Sequence, residues 1–151
     1  MDTLSTVSLY AALLTTGLMA GVYLAFSIAV LPGIARSDDS TFVAAMRGMN
    51  AAILNPVFGL VFGGPLVFGV AALVTRLPDE EGIGWTAAAV LLYVATLVIT
   101  GTVNVPLNNR LDSTEPPDAA RALFEQRWVR WNVVRTVLCI GSLLAFVLAL
   151  G

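Results

Sequence analysis

Four long apolar runs set the pattern of the chain, and its polar residues gather at their ends. The first run spans about Leu4 to Leu31. At about 1.5 Å per residue it exceeds the roughly 20 residues that cross a bilayer core, so a helix here tilts or projects. Pro32-Gly33 is expected to end it. Within it, Gly17-Leu18-Met19-Ala20-Gly21, with Ala25 on the same stripe, places small residues where a neighbouring helix approaches closely. A loop follows at Arg36-Ser37-Asp38-Asp39-Ser40, with Asp39 or Ser40 as N-cap of a helix beginning at Thr41. Phe42 to Ala52 is only moderately apolar and contains Arg47 and Asn50, which suits an interfacial lead-in to the second run. Asn55-Pro56 kinks or breaks the helix there.

The second run proper extends from about Pro56 to Val74 and carries another GxxxG, Gly59 to Gly63, followed by Gly64-Pro65. A proline at that depth frees a backbone carbonyl, which reads first as a packing kink and second as a widened pocket. Arg76 to Gly84 is a short acidic turn with Pro78, Asp79, Glu80 and Glu81. The third run begins at Trp85, an interface anchor, and reaches about Thr102. Asn104-Val105-Pro106-Leu107-Asn108-Asn109-Arg110 then reads most simply as a turn. If the helix persists instead, Asn104 and Asn108 share a face and Pro106 takes an early position of a new helical turn. After a polar loop from Leu111 to Pro117, Asp118 starts a helix with Arg121 and Glu125 four apart. It runs through Trp128-Val129-Arg130-Trp131-Asn132-Val133-Val134-Arg135 into the fourth run, about Trp131 to Leu150. No internal repeat is convincing. The expected fold is all-α: a four-transmembrane-helix bundle with amphipathic extensions before helices 2 and 4. It forms a single integral membrane domain over 1–151, with helices at about 4–31, 41–75, 85–105 and 118–150.

Composition agrees with this pattern: 58% of residues are hydrophobic and only 12% charged, against about 25% charged in a soluble domain. Met1 to Ser8 carries no Lys or Arg, so the first run is expected to be a retained helix and not a cleaved signal. All 8 basic residues are arginines and the net charge is −2, which leaves no basic stripe for nucleic acid. The absence of histidine removes histidine-held haem and most zinc and copper sites and leaves an oxygen-ligated metal open. The lone Cys139 has no partner for a disulfide or a CxxC and reads as a buried free thiol. Arginines lie mostly between the first and second and between the third and fourth runs, with only Arg76 opposite. The positive-inside rule therefore places connections 1–2 and 3–4 in the cytoplasm of a plasma-membrane protein.

The candidate chemistry sits at the mouth of the fourth run. Trp128, Trp131, Asn132 and Arg135 fall at i, i+3, i+4 and i+7 and so share a helical face. An arginine at the bilayer centre costs about 2.5–3.5 kcal/mol on the insertion scale, so Arg135 must snorkel, pair or line a wet cavity. In the expected bundle the start of helix 4, the end of helix 3 and the start of helix 2 share one membrane face. Asn50, Asn104, Asn108, Asn109, Arg110, Trp128, Asn132 and Arg135 then converge on a polar, aromatic mouth over an apolar interior. Such a pocket suits a flat lipophilic molecule bearing an oxygen: arginine to hold an enolate or phenolate, asparagine for a carbonyl, tryptophan to stack. The same residue types also serve as interface anchors and caps.

The Asn104-x-Pro106-x-Asn108 segment, followed by Trp128-x-x-x-Asn132-x-x-Arg135, resembles the anthrone oxygenase-like family of small four-helix membrane proteins. Phe26-x-x-x-Val30-x-Pro32 and Met46-x-x-x-Asn50 are similar to it as well, and the resemblance covers most of the chain. Characterised members oxidise anthrones to anthraquinones without a metal or flavin, while many others have no assigned reaction, so the resemblance implies the fold more firmly than the reaction. With that reaction, which the resemblance implies needs no metal or cofactor, the chemistry of the residues makes Arg135, Asn132 and Asn108 the expected catalytic residues, with Arg135 on the anion. Trp128, Trp131, Asn104, Asn109, Arg110, Asn50 and Tyr23 would form the substrate site. No base is evident. Asp112, Glu125, Asp38 and Asp39 lie near the right face but are expected to cap or to pair with arginine, and Tyr23 is remote. The expected partners are a lipophilic substrate, dioxygen and membrane lipid, with a homo-oligomer from the two GxxxG stripes. The competing readings are a non-catalytic lipid- or quinone-binding protein and a small-molecule exporter. A proton-coupled exporter normally needs an intramembrane carboxylate, and the spanning runs have none.

Overall fold

The computed structural model describes residues 3–77 and 82–151. Pro78, Asp79, Glu80 and Glu81 of the acidic turn lie outside the described residues. Five helical stretches follow one another: α1 (Thr3–Ile34), α2 (Asp39–Ala52), α3 (Pro56–Arg76), α4 (Ile83–Ser113) and α5 (Pro117–Leu148). Among the described residues there is no strand. Four helices, α1, α3, α4 and α5, are long and apolar enough to cross a membrane. They pack as a ring, α1 on α3, α3 on α4, α4 on α5 and α5 on α1. Large apolar side chains such as Leu14, Ile28, Leu60, Val67, Leu91 and Val137 point outward, while Ser5, Thr16, Thr96, Asn104, Asn132, Arg135 and Ser142 are buried. Apolar outside and polar inside is compatible with an integral membrane protein, whose outer surface meets hydrocarbon.

Helices α1, α4 and α5 have 32, 31 and 32 residues. At about 1.5 Å per residue each is longer than the roughly 30 Å hydrocarbon core, so each projects. The polar ends of all three meet α2 on one side of the bundle. There Leu31, Phe42, Val43, Met46, Leu107, Leu111, Ala120, Phe124 and Trp128 form a separate small core.

The projections correct two expected boundaries. Pro32 does not end α1 at Leu31, and the Asn104 segment is not a turn. In both places a π turn precedes the proline: Phe26–Val30 before Pro32 and Thr100–Asn104 before Pro106. A proline ring collides with the carbonyl four residues back and offers no N–H. The wider turn, closed by Leu31 N–H to the Phe26 carbonyl and by Val105 N–H to the Thr100 carbonyl, removes that conflict. Each proline then sits in the first turn of a renewed α-helix. The two halves of the chain thus share one device that the sequence does not display as a repeat.

The expected helix over 41–75 is divided at Ile53–Asn55. Asn55 accepts a hydrogen bond from Phe58 N–H (3.0 Å) and Pro56 takes the first helical position, so α3 starts afresh. The cap of α2 is Asp38, not Asp39 or Ser40. Its carboxylate accepts from Ser40 Oγ (2.5 Å), Thr41 N (2.9 Å) and Thr41 Oγ1 (2.8 Å), bonds that hold the carboxyl well below its usual range.

Three arginines fasten the two ends of the bundle by capping other helices, Arg121 and Arg47 on the projecting side and Arg76 on the opposite side. Arg121 donates to the carbonyls of Ala35 (2.8 Å) and Ser37 (2.9 Å) at the end of α1. Arg47 donates to Leu111 (2.8 Å) and Thr114 (3.0 Å) at the end of α4. Arg76 donates to Ala149 (2.6 Å) at the end of α5. Each places a cation where unpaired carbonyls gather.

Within the bundle, the GxxxG stripes are not where helices approach most closely. A Cβ on Gly21, Gly59 or Gly63 would meet nothing within 4 Å. The tight contact is at Gly64, where a Cβ would lie 2.7 Å from Thr15 Cγ2. Pro65 beside it is buried, and the Tyr93 hydroxyl donates to the Phe62 carbonyl at 2.6 Å, close to the carbonyl the proline leaves without a donor. Gly64→Ala is therefore expected to destabilise the bundle by about 1–3 kcal/mol, whereas Gly21→Ala is expected to be neutral or favourable by up to about 1 kcal/mol. Thermal unfolding in detergent checks this; equal effects of the two would contradict the packing described.

Candidate functional site

A cavity of about 850 Å³ opens on the projecting side of the bundle. Phe26 of α1, Met49 of α2, and Phe58 and Phe62 of α3 supply apolar wall. Polar residues enter from α2, α4 and α5: Asn50, Thr100, Asn104, Asn108, Asn109, Asp112, Asn132 and Arg135. The break between α2 and α3 lets Ile53 to Pro56 reach the cavity edge. The π turn of α4 brings Thr100 and Asn104 to it, which fits the frequent use of such turns at functional sites.

Arg135 is only 5% exposed. Its Nη2 donates to Asn132 Oδ1 (2.9 Å) and its Nη1 to Thr100 Oγ1 (3.2 Å). The guanidinium carbon lies 4.6 Å from the Tyr23 ring centroid and 5.2 Å from that of Trp128. Among the described residues no carboxylate pairs with it; Glu115 pairs with Arg47, and Asp39 and Glu125 pair with Arg121. Ring faces contribute about 0.5–2 kcal/mol each to holding a cation, less than the several kcal/mol that desolvating a charge costs. The site therefore favours an anion beside Arg135.

Asn132 is fully engaged in holding that arginine. Its Nδ2 donates to the Tyr23 carbonyl (3.0 Å) and Ser27 Oγ (2.8 Å), and its Oδ1 accepts from Arg135. Thr136 Oγ1 donates to the Asn132 carbonyl (2.8 Å) and lies 3.1 Å from Ser27 Oγ. Both amide ends of Asn132 have protein partners, so its geometry is that of a positioning residue. Asn108 differs. The Trp128 indole only donates, so the Asn108 oxygen takes its N–H at 2.8 Å and the NH₂ group remains for another acceptor.

Several groups around the cavity are buried without a protein partner: both amide atoms of Asn104, Nδ2 of Asn50, Nε of Arg135 and the Tyr23 hydroxyl. Asn104 is 2% exposed. Each such group costs about 1–3 kcal/mol when left unpaired. Donors outnumber acceptors among them, so the cavity is matched to a molecule that brings oxygen atoms.

Of the residues anticipated here, Arg135, Asn132, Asn108, Trp128, Asn104, Asn109, Asn50 and Tyr23 line the cavity. Trp131 and Arg110 do not. At about 100° per residue Trp131 lies roughly 100° around the helix from Asn132, on the far side of Trp128, and it packs outside the cavity, half-buried. Arg110 is exposed on the projection of α4. Ser27, Thr100 and Thr136 were missed, since single hydroxyls inside apolar helices draw no notice. One signal was present: Thr100, Asn104, Asn108 and Asp112 recur at four-residue intervals.

A family model described as anthrone oxygenase matches residues 50–145, well over half of the chain. The match takes in every cavity residue of α4 and α5. No curated protein and no solved structure matches the chain.

Two asparagines on the cavity are expected to respond oppositely to removal of their amides. Asn104→Leu removes unpaired groups and is expected to leave the melting temperature unchanged or raised while weakening binding of an oxygenated aromatic ligand. Asn132→Leu strands the Arg135 guanidinium and is expected to destabilise by about 2–4 kcal/mol. Unfolding and ligand titration of both variants in detergent check this; a destabilised Asn104→Leu would show that its amide has structural partners.

Proposed function

This chain belongs to the anthrone oxygenase family, and from that premise we propose that it is a membrane-embedded oxygenase acting on a lipophilic aromatic carbon acid of the anthrone type, with dioxygen as co-substrate and no metal or flavin. The observation that carries the reading is Arg135, a buried cation with no carboxylate partner among the described residues, at the head of a cavity with apolar walls.

In such a substrate a CH₂ group sits between two aromatic rings, across the central ring from a carbonyl. Loss of one C–H proton leaves the electron pair delocalised onto the carbonyl oxygen, now an enolate. Arg135, held by Asn132 and Thr100, is placed to stabilise that oxygen. The NH₂ group of Asn108 and the amide of Asn104 orient the ring system, with Trp128, Phe26 and Phe62 against its faces. The electron-rich carbon passes one electron to dioxygen, and the radical pair joins as a C–O bond. Loss of the second C–H proton with cleavage of the O–O bond leaves a carbonyl at carbon and releases the other oxygen atom as water. One CH₂ and one O₂ become one C=O and one H₂O. The protein's part is to stabilise the anion, exclude bulk water and admit oxygen through the apolar bundle. Substrate reaches the cavity from the lipid phase of the plasma membrane, and the projecting side faces the cytoplasm.

Oxygen uptake by the purified protein given an anthrone tests this. One O₂ is expected per quinone formed, at a rate unaffected by chelators. Arg135→Ala is expected to lower kcat/KM by about 100-fold or more. Uptake no faster than the spontaneous reaction, together with co-purified lipid or quinone in the cavity, would favour a non-catalytic binding protein instead.

A further inference from the structure

The polar side chains around Arg135 differ in how much of their hydrogen-bonding capacity the protein already uses. Thr100 donates to the Thr96 carbonyl (2.9 Å) and accepts from Arg135 (3.2 Å). Asn132 has partners at both ends of its amide. The oxygen of Asn108 accepts from the Trp128 indole. Of these four, only Asn104 has neither end of its side chain engaged among the described residues, although it is buried and lines the cavity. An amide left so in an apolar bundle is costly unless something else meets it.

Thr100 and Asn104 bound the π turn of α4. Four residues apart, they share a face and lie about 6 Å from each other along the helix. In an anthrone the reacting carbon lies about 4 Å beyond the carbonyl oxygen, a C=O bond plus the width of a six-membered ring. With the oxygen on Arg135, which touches Thr100, and the rings in the cavity along α4, that carbon comes level with Asn104.

We propose that Asn104 holds the dioxygen-derived group on that carbon, an inference that rests on the oxygenase reading above and adds to the orienting role given there to this amide. Once the substrate is the enolate, its carbon gives one electron to dioxygen. The radical pair closes a C–O bond and leaves the negative charge on the outer oxygen of a peroxide. The NH₂ group of Asn104 donates to that oxygen. A proton, equivalent to the one lost on ionisation, then forms the O–H bond of a hydroperoxide, and Asn104 Oδ1 accepts from it. Loss of the remaining C–H proton forms the C=O bond as the O–O bond breaks, and the hydroxide released takes up a proton as water. A neutral amide with both ends free suits a group that first only accepts and then also donates. Arg135 thus serves the anion before dioxygen adds, and Asn104 serves it afterwards.

Double mixing separates the two steps. The anthrone is first bound without oxygen, at a pH where the bound molecule is ionised, and the visible absorption of its anion is recorded. Oxygenated buffer then discharges the anion. At saturating anthrone, Asn104→Leu is expected to show wild-type ionisation of the bound molecule and to lose the anion to oxygen about 100-fold more slowly. Its affinity for the quinone product, which carries the new oxygen beside Asn104, is expected to fall about tenfold, and its affinity for the anthrone to fall less. Asn104→Gln keeps an amide and is expected to recover part of the oxygen rate. An anion that reacts with oxygen in Asn104→Leu at the wild-type rate would overturn the proposal. A loss of ionisation that accounts for the whole loss of turnover would overturn it too, because the amide would then serve the enolate. If the wild-type anion reacts with oxygen no faster than the same anion in empty micelles, the oxygenase reading itself fails.

Discussion

A single unpaired guanidinium organises this molecule. Arg135 lies inside a bundle whose outer surface is hydrocarbon-like, and among the described residues no carboxylate answers it. Neutral dipoles and ring faces surround it instead: Asn132, Thr100, Tyr23 and Trp128. Asn132 in turn is fixed by Ser27 and the Tyr23 carbonyl of the facing helix. Three of the four spanning helices therefore contribute to keeping one positive charge in place. An arrangement of this kind holds a cation without neutralising it, and so keeps its field available for an anion formed in the cavity.

The contrast with the other arginines sharpens this view. Arg47, Arg76 and Arg121 each close the carbonyl end of another helix. They fasten the ends of the bundle, where chain would otherwise fray into the interface. Arg36, Arg110, Arg127 and Arg130 are exposed. Only Arg135 is buried and turned into the cavity, so its position is not explained by fold alone. The paired π turns belong to the same design. They carry α1 and α4 through their prolines without a break, and the one in α4 presents Thr100 and Asn104 to the cavity.

The bundle, its four spanning helices and the convergence on Arg135 were legible because apolar length and an isolated charge are strong signals. Asn104, Asn108 and Asn50 were legible because asparagine is rare in a spanning segment. The helix ends were harder to place. A proline normally stops a helix, and nothing in the composition of Phe26–Val30 or Thr100–Asn104 announces the wider turn that lets the helix continue. Trp131 was misplaced because a residue three positions on lies on one flank of a face and a residue four on lies on the other. Within the bundle the GxxxG spacing records where glycine is, while close packing depends on what faces it. Thr15 faces Gly64, and nothing faces Gly21. The hydrogen bonds that convert Asn132 into a support for Arg135 cross from α5 to α1, and no pattern along one chain segment displays them.

The central claim is that Arg135 keeps an unneutralised positive field for an oxyanion. A spectrophotometric pH titration of a phenolic quinone product bound in the cavity measures that field directly. The bound phenol is expected to ionise about 1–3 pH units lower than the same compound in empty detergent micelles, and Arg135→Met is expected to abolish the shift without abolishing binding. Identical titration curves for the wild type, the variant and the micelles would contradict the claim, and Arg135 would then be a structural residue of the bundle.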